Sequence, residues 1–346
     1  MPFMPTPPLT RPEAPMPETF SSTAQMATIG LRDAREALRD RFVLVAITAL
    51  TLAALVSLVT GAMALHGDAA TYAQAKALLL KLGKDASVIA APELYPLKLL
   101  RGTIEQIEIM GAVIALVAGY RAAAAERGRQ TLALILTRPL AHWQYLAAKL
   151  AGGLGLAAVS LGVVFAATAL ILPLVSGVGL AADDLARLAI VWGAGILYLT
   201  GLYALGFGLS LWARSPAAGL IAAFALWLLV VLVAPQIGDT MDPDNQVAGG
   251  IYAQLSVPKA EQDRIKAGFA TYETIRGGIE QASVTKHFER LTFAVLGIKD
   301  SYTGKPLGPI LAEKSGDLLV LILFTLGLGG IVLLRPIDPD RLTKEN

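Results

Sequence analysis

Six stretches of the chain are apolar for long enough to cross a membrane: approximately 42–65, 104–120, 150–175, 188–212, 217–237 and 317–334. A helix spanning the ~30 Å hydrocarbon core needs about 20 mostly apolar residues, because lipid gives backbone groups no hydrogen-bond partner and the helix must satisfy them internally. The pattern therefore predicts an all-α membrane protein with six transmembrane helices. The second stretch is the shortest, and Glu105 and Glu108 stand one turn apart at its start.

Charged positions between the stretches orient them. Arg32, Arg35, Arg39 and Arg41 precede the first stretch, Arg121, Arg127, Arg129 and Arg138 lie between the second and third, and Arg214 occupies the turn between the fourth and fifth. Lys and Arg in short flanking loops resist translocation. These loops are expected to be cytoplasmic, with both termini inside, while Asp183 and Asp184 suit the opposite side. Two longer segments, 66–103 and 238–316, then fall outside. The second contains a helical run at 259–281 and a further helix after Ser283 or Thr285, with Phe288, Leu291, Thr292 and Val295 on one face. Such a face needs a surface to pack on. A small, mainly helical external domain built from both segments answers this, and helices lying on the outer leaflet are the alternative.

Outside the spans, residues 1–23 are too proline-dense for a helix and lack the apolar core of a secretory signal, so a disordered tail is expected. Residues 24–41 form an amphipathic helix on the inner surface, and 335–346 a cytoplasmic tail. Composition agrees with a lipid solvent: 55% of the 346 residues are hydrophobic and 16% charged, against roughly a quarter charged in a soluble domain. The net charge of +2 gives no general basic surface for nucleic acid. The absence of cysteine excludes disulfides, thiolate metal sites and a cysteine nucleophile.

Candidates for catalysis are few. His66, His142 and His287 show no metal-ligand spacing and read as ordinary surface histidines. Gly297-IKDSYT-Gly304-Lys305-Pro306 has six residues between its glycines instead of four, and proline where Ser or Thr must meet magnesium, so it is not an ATP site. Gly153-Leu-Gly155-Leu-Ala-Ala158 lies inside an apolar span with no preceding strand, where close helix packing explains the small residues. Gly111 with Ala115, and Ala148 with Gly152, repeat that spacing. Glu105 and Glu108 either meet headgroup water or Arg101, or guide a cationic group at the outer end of a transport path.

The segment 121–149 is the most informative. A span runs on into charged residues, a short amphipathic helix from about Gly128 to Leu136 follows, Pro139 stops it, and Trp143 and Tyr145 anchor the next span. It reads either as a lever exposed to a partner or as a plain interfacial loop.

This segment resembles the coupling region of ABC type-2 permeases, in which an acidic-basic run, a Gly-Thr-Leu step, a leucine-rich turn and Arg-Pro precede the third span. The matching residues are Glu126, Arg127, Thr131, Leu132, Leu134, Leu136, Thr137, Arg138, Pro139 and Lys149, with Gln130 where the family usually has glycine. The stretches LRDAREALRDRFVL and LSLWARSPAAGLIAAFALWLLVVLVAP also resemble this family. The long external segments and Pro96-LKLLRGTIEQIEIMGAVIALVAGY resemble the branch that includes the permease serving nitrous-oxide-reductase maturation. The resemblance implies two permease subunits side by side, as a homo- or heterodimer, and separate cytoplasmic ATPase subunits docked on the coupling helices. ATP and Mg then belong to the partner ATPase, and this chain binds no cofactor. Implied docking residues are Glu126, Arg127, Arg129, Thr131, Leu132, Arg138 and Pro139. A bacterial-type plasma membrane location and outward transport follow from the same resemblance. An ion-coupled secondary transporter would need ionisable or unwound positions at mid-membrane, and the spans are almost free of charge apart from Lys149 and the two glutamates. A membrane scaffold without an ATPase is the other alternative.

Overall fold

The computed structural model describes residues 22–82, 95–128, 141–233, 237, 240–241 and 251–335, and among these it contains helices and no strand. Helix α1 (Ser22–Arg39) is amphipathic, with Arg32 paired to Glu36 one turn on at 2.7 Å. Asp40 ends it and caps the next helix, α2 (Arg41–Lys81), by accepting a 2.8 Å hydrogen bond from the Phe42 amide.

At 41 residues α2 is about 60 Å long, twice the hydrocarbon thickness. The first stretch was expected to end near residue 65; the helix continues because 66–81 contains no proline and is rich in Ala, Leu and Lys. The second stretch is longer than 104–120 as well. Its helical run begins with a 3-10 turn at Pro96–Leu100 and passes through α3 (Arg101–Gln106), a π-helical turn (Ile107–Gly111) and α4 (Ala112–Gly128). The described parts of 66–103 are therefore largely continuations of the two neighbouring helices rather than a separate unit.

Helices α5 (His142–Ser176) and α6 (Ala182–Trp212) follow, then α7 (Pro216–Leu228), capped by the Ser215 hydroxyl on the Ala218 amide at 3.2 Å. Five described helical runs are long and apolar enough to cross a membrane: Arg41–Lys81, Pro96–Arg127, His142–Ser176, Ala182–Trp212 and Ser315–Leu334. The predicted span at 217–237 is the exception. Its α-helix has 13 residues, about 20 Å, and nears the ~30 Å core only through its π-helical continuation Leu229–Val233.

The central helix is α6. It packs on α4, α5, α7 and the last span, and buries Tyr198, Tyr203 and Phe207. It lies backbone to backbone on α4: a Cβ at Gly119 would stand 2.7 Å from the Phe207 amide, and one at Gly206 would run into the Leu116 backbone. At the expected small-residue pairs, Gly111 faces Leu199, whereas Gly152 lies against α1, where an added Cβ would stand 3.1 Å from the Asp33 Cβ, so the Ala148–Gly152 seam receives the amphipathic helix.

Residues 251–313 are mainly helical: a turn at Ile251–Gln254, α8 (Lys259–Gly268), α9 (Ala270–Gln281), α10 (Val284–Val295) and α11 (Leu307–Glu313), before the last span α12 (Ser315–Leu334). The face of α10 carrying Phe288, Leu291, Thr292 and Val295 is buried against α6 and α12. Phe288 stacks on Tyr198 of α6 with ring centroids 4.9 Å apart. This helix is thus part of the bundle's core. Ser283 occupies its N-cap position without a side-chain capping bond.

Candidate coupling end and the opposite end

One end of the bundle gathers α1, the C-terminus of α4, the N-terminus of α5 and the α6–α7 turn. Here Lys149 of α5 lies 2.7 Å from Asp33 of α1 and 2.6 Å from Glu126 of α4. The three side chains are only 9%, 20% and 12% exposed, so the charges attract across a poorly hydrated space. Burial pushes the Asp33 carboxyl above its ordinary range, although the Lys149 ammonium pulls the other way. Glu126 therefore has a partner 23 residues along the chain.

Arg127 turns toward α6. Its guanidinium donates to the Ala213 carbonyl at 2.7 Å, the Arg214 carbonyl at 2.9 Å and the Ser210 carbonyl at 3.3 Å. These oxygens end a helix whose last carbonyls lack intrahelical partners and carry the negative end of its dipole. Arg121 of α4 pairs with Asp40 and lies over the Phe42 ring at 5.2 Å. Partial burial acts to raise the Asp40 carboxyl, but the Arg121 and Phe42 hydrogen bonds outweigh it and hold the group below its ordinary value. Arg335, just after α12, covers the Trp212 ring at 4.7 Å. Of the remaining docking candidates, Arg129, Thr131, Leu132, Arg138 and Pro139 lie outside the described residues.

The opposite end carries the acidic candidates. Glu105 accepts a 2.9 Å bond from Arg101. Glu108 is 8% exposed on the π-helical turn, and its backbone carbonyl accepts the Tyr198 hydroxyl at 3.0 Å; Thr285 of α10 lies 3.1 Å from the same hydroxyl. The structure thus separates the pair: Glu105 is on an ion-paired surface, and Glu108 is inside.

Three residues given no structural role in the sequence reading organise this end. Arg187, 2% exposed, bonds Asp183 at 2.7 Å, the Val295 carbonyl ending α10 at 2.7 Å and the Lys305 carbonyl at 2.5 Å. His287 is buried, not on the surface: it meets Asp317 of α12 at 2.6 Å and the Gln281 carbonyl at 2.9 Å. His66 reaches the Val175 carbonyl at 3.0 Å and joins α2 to the end of α5. The available signal was a charge beside an apolar run, which demands a partner without naming it.

The architecture is that of a multi-pass, all-α membrane protein with no nucleotide-binding motif in its sequence. The family model described as ABC-2 family transporter protein matches residues 27–334, and the chain belongs to that family. It is accordingly a membrane-spanning permease component of an ABC transporter. A search of curated proteins finds none that matches.

Proposed function

We propose that this permease is an exporter driven by separate cytoplasmic ATPase subunits that dock on the segment following α4. Two permease subunits form the complete transmembrane part in the plasma membrane, and ATP and Mg are held by the ATPases. The end bearing α1 and the arginines faces the cytoplasm, with both termini on that side. Glu126, Arg127, Arg129, Thr131, Leu132, Arg138 and Pro139 belong to the coupling region, and Glu105 and Glu108 to the outer end of the transport path. One observation carries the reading: Glu126 and Lys149, which flank this segment, meet at 2.6 Å on the end that also holds α1, Arg121 and Arg127. Arginine accumulation at that end supports the orientation.

Closure of the ATPases on ATP pushes on the coupling segment, and the helices rooted in it tilt to change the opening between the two permease subunits. Export or extraction from the bilayer agrees with the mainly outward direction of the family.

Arg127 also braces the end of α6, so reversing its charge tests two things at once. Arg129→Glu with Arg138→Glu is the cleaner variant: permease-stimulated ATP hydrolysis is expected to disappear while membrane insertion is retained. Unchanged stimulation refutes the docking assignment. Because the chain has no cysteine, Arg129→Cys can be labelled alone; access to an impermeant thiol reagent only from outside the cell refutes the orientation.

A further inference from the structure

Residues 127–148 separate Glu126 from Lys149, yet their side chains touch, and the same ammonium holds Asp33 of α1. We infer that Lys149 is the positioning residue of this end of the bundle: it pins the C-terminal end of α4, the N-terminal end of α5 and α1 into one body, so that force delivered there moves the three helices together. This rests on the docking reading above and adds the residue that transmits the push.

Three observations support a rigid body over a loose interfacial helix. The cluster is nearly dry, so its attraction is screened little by solvent ions. Lys149 is one cation shared by two carboxylates; without it Asp33 and Glu126 either repel as anions or one takes up a proton, and in both cases the attraction that joins α1 to α4 is lost. Finally, α1 is seated on α5 along a seam of small residues. A Cβ on Gly30 would lie 3.1 Å from the Ala148 carbonyl, and one on Gly155 would lie 3.5 Å from the Ala34 Cβ. Such close approach leaves α1 little freedom to slide while Lys149 is in place.

The test uses the full permease reconstituted with its ATPase subunits, scoring ATPase co-purification and permease-stimulated ATP hydrolysis. Lys149→Met is expected to keep the ATPase bound but reduce stimulation by about tenfold, the size of a typical coupling. The neutral triple variant Asp33→Asn, Glu126→Gln, Lys149→Met removes the stranded carboxylates; it guards against a folding defect and is expected to lose stimulation likewise. Parental stimulation in either variant overturns the pin. The Ala34–Gly155 spacing lies in the range bridged by a disulfide, so Ala34→Cys with Gly155→Cys locks α1 onto α5 in an otherwise cysteine-free chain. A rigid body keeps its stimulation when crosslinked. Failure to crosslink, or stimulation lost on oxidation and restored on reduction, shows that α1 is not fixed to α5 and overturns the inference. If no ATPase co-purifies with the unaltered chain, the docking reading itself fails and the pin falls with it, an outcome distinct from uncoupling with the ATPase still bound.

Discussion

At the α1 end one ammonium, Lys149, holds two carboxylates from two other helices; at the opposite end one guanidinium, Arg187, is held by two backbone carbonyls and the carboxylate of Asp183. Both cations are buried, but their surroundings respond differently to their loss. Around Lys149 the partners are carboxylates, and removing the cation takes away the attraction that joins three helices. Around Arg187 the partners are two backbone carbonyls, Val295 at the end of α10 and Lys305 ahead of α11, with the Asp183 carboxylate; removing the cation leaves the carbonyls with no donor from it while the apolar contacts of α10 stay in place. The first arrangement makes helix position depend on charge. The second fastens an element that is already packed.

The contrast can be broken most directly at Arg187. Arg187→Met is expected to cost about 3 kcal/mol, since two carbonyls lose their donor at about 1–3 kcal/mol each while the exposed Asp183 carboxylate can turn to water. Thermal unfolding in detergent, followed by tryptophan fluorescence, measures it; an unchanged midpoint would mean that α10 is held by Phe288 and its neighbours alone. The backbone contact between the two ends is tested by Gly206→Val, which drives a side chain into the Leu116 backbone. Overpacking of this kind costs about 1–3 kcal/mol, again visible as a lowered unfolding midpoint. Tyr198→Phe keeps the ring stacked on Phe288 but removes the donor to the Glu108 carbonyl, for a loss of about 1 kcal/mol.

The smallest effects sharpen the comparison within the α1 end itself, through the sign of their pH dependence. Asp40 is held below its ordinary value, so its contribution is complete above that value and is lost as pH falls through the lowered one. Asp40→Ala is therefore expected to cost about 1 kcal/mol at neutral pH and to converge with the parent in acid. Asp33 is pushed upward by burial, so its contribution is present below the ordinary carboxylate value and is lost as pH rises through the raised one. Asp33→Asn is expected to become more favourable relative to the parent as pH rises over that window. Unfolding midpoints across an acid-to-neutral pH series check both, and the same sign for both would remove the distinction.

The amphipathic helix before the first span, the apolar stretches, the arginine-rich side and the buried face of α10 were legible because each is a periodic or compositional property of a continuous segment. The proposed docking segment rests on the run Glu126–Pro139, of which the structure describes the first three residues. Hidden from the sequence were the length of α2, the π-helical end of the fifth stretch and every partner of a buried charge. Glu126 meets Lys149, Arg127 braces the end of α6, and His287, read as a surface histidine, is buried and joins α10 to α12. The sequence by itself determined where the chain prefers lipid and which loops carry charge, since solvent preference is summed along a segment. Only the tertiary structure decided which charges meet, because the separation of two side chains depends on how the helices between them cross.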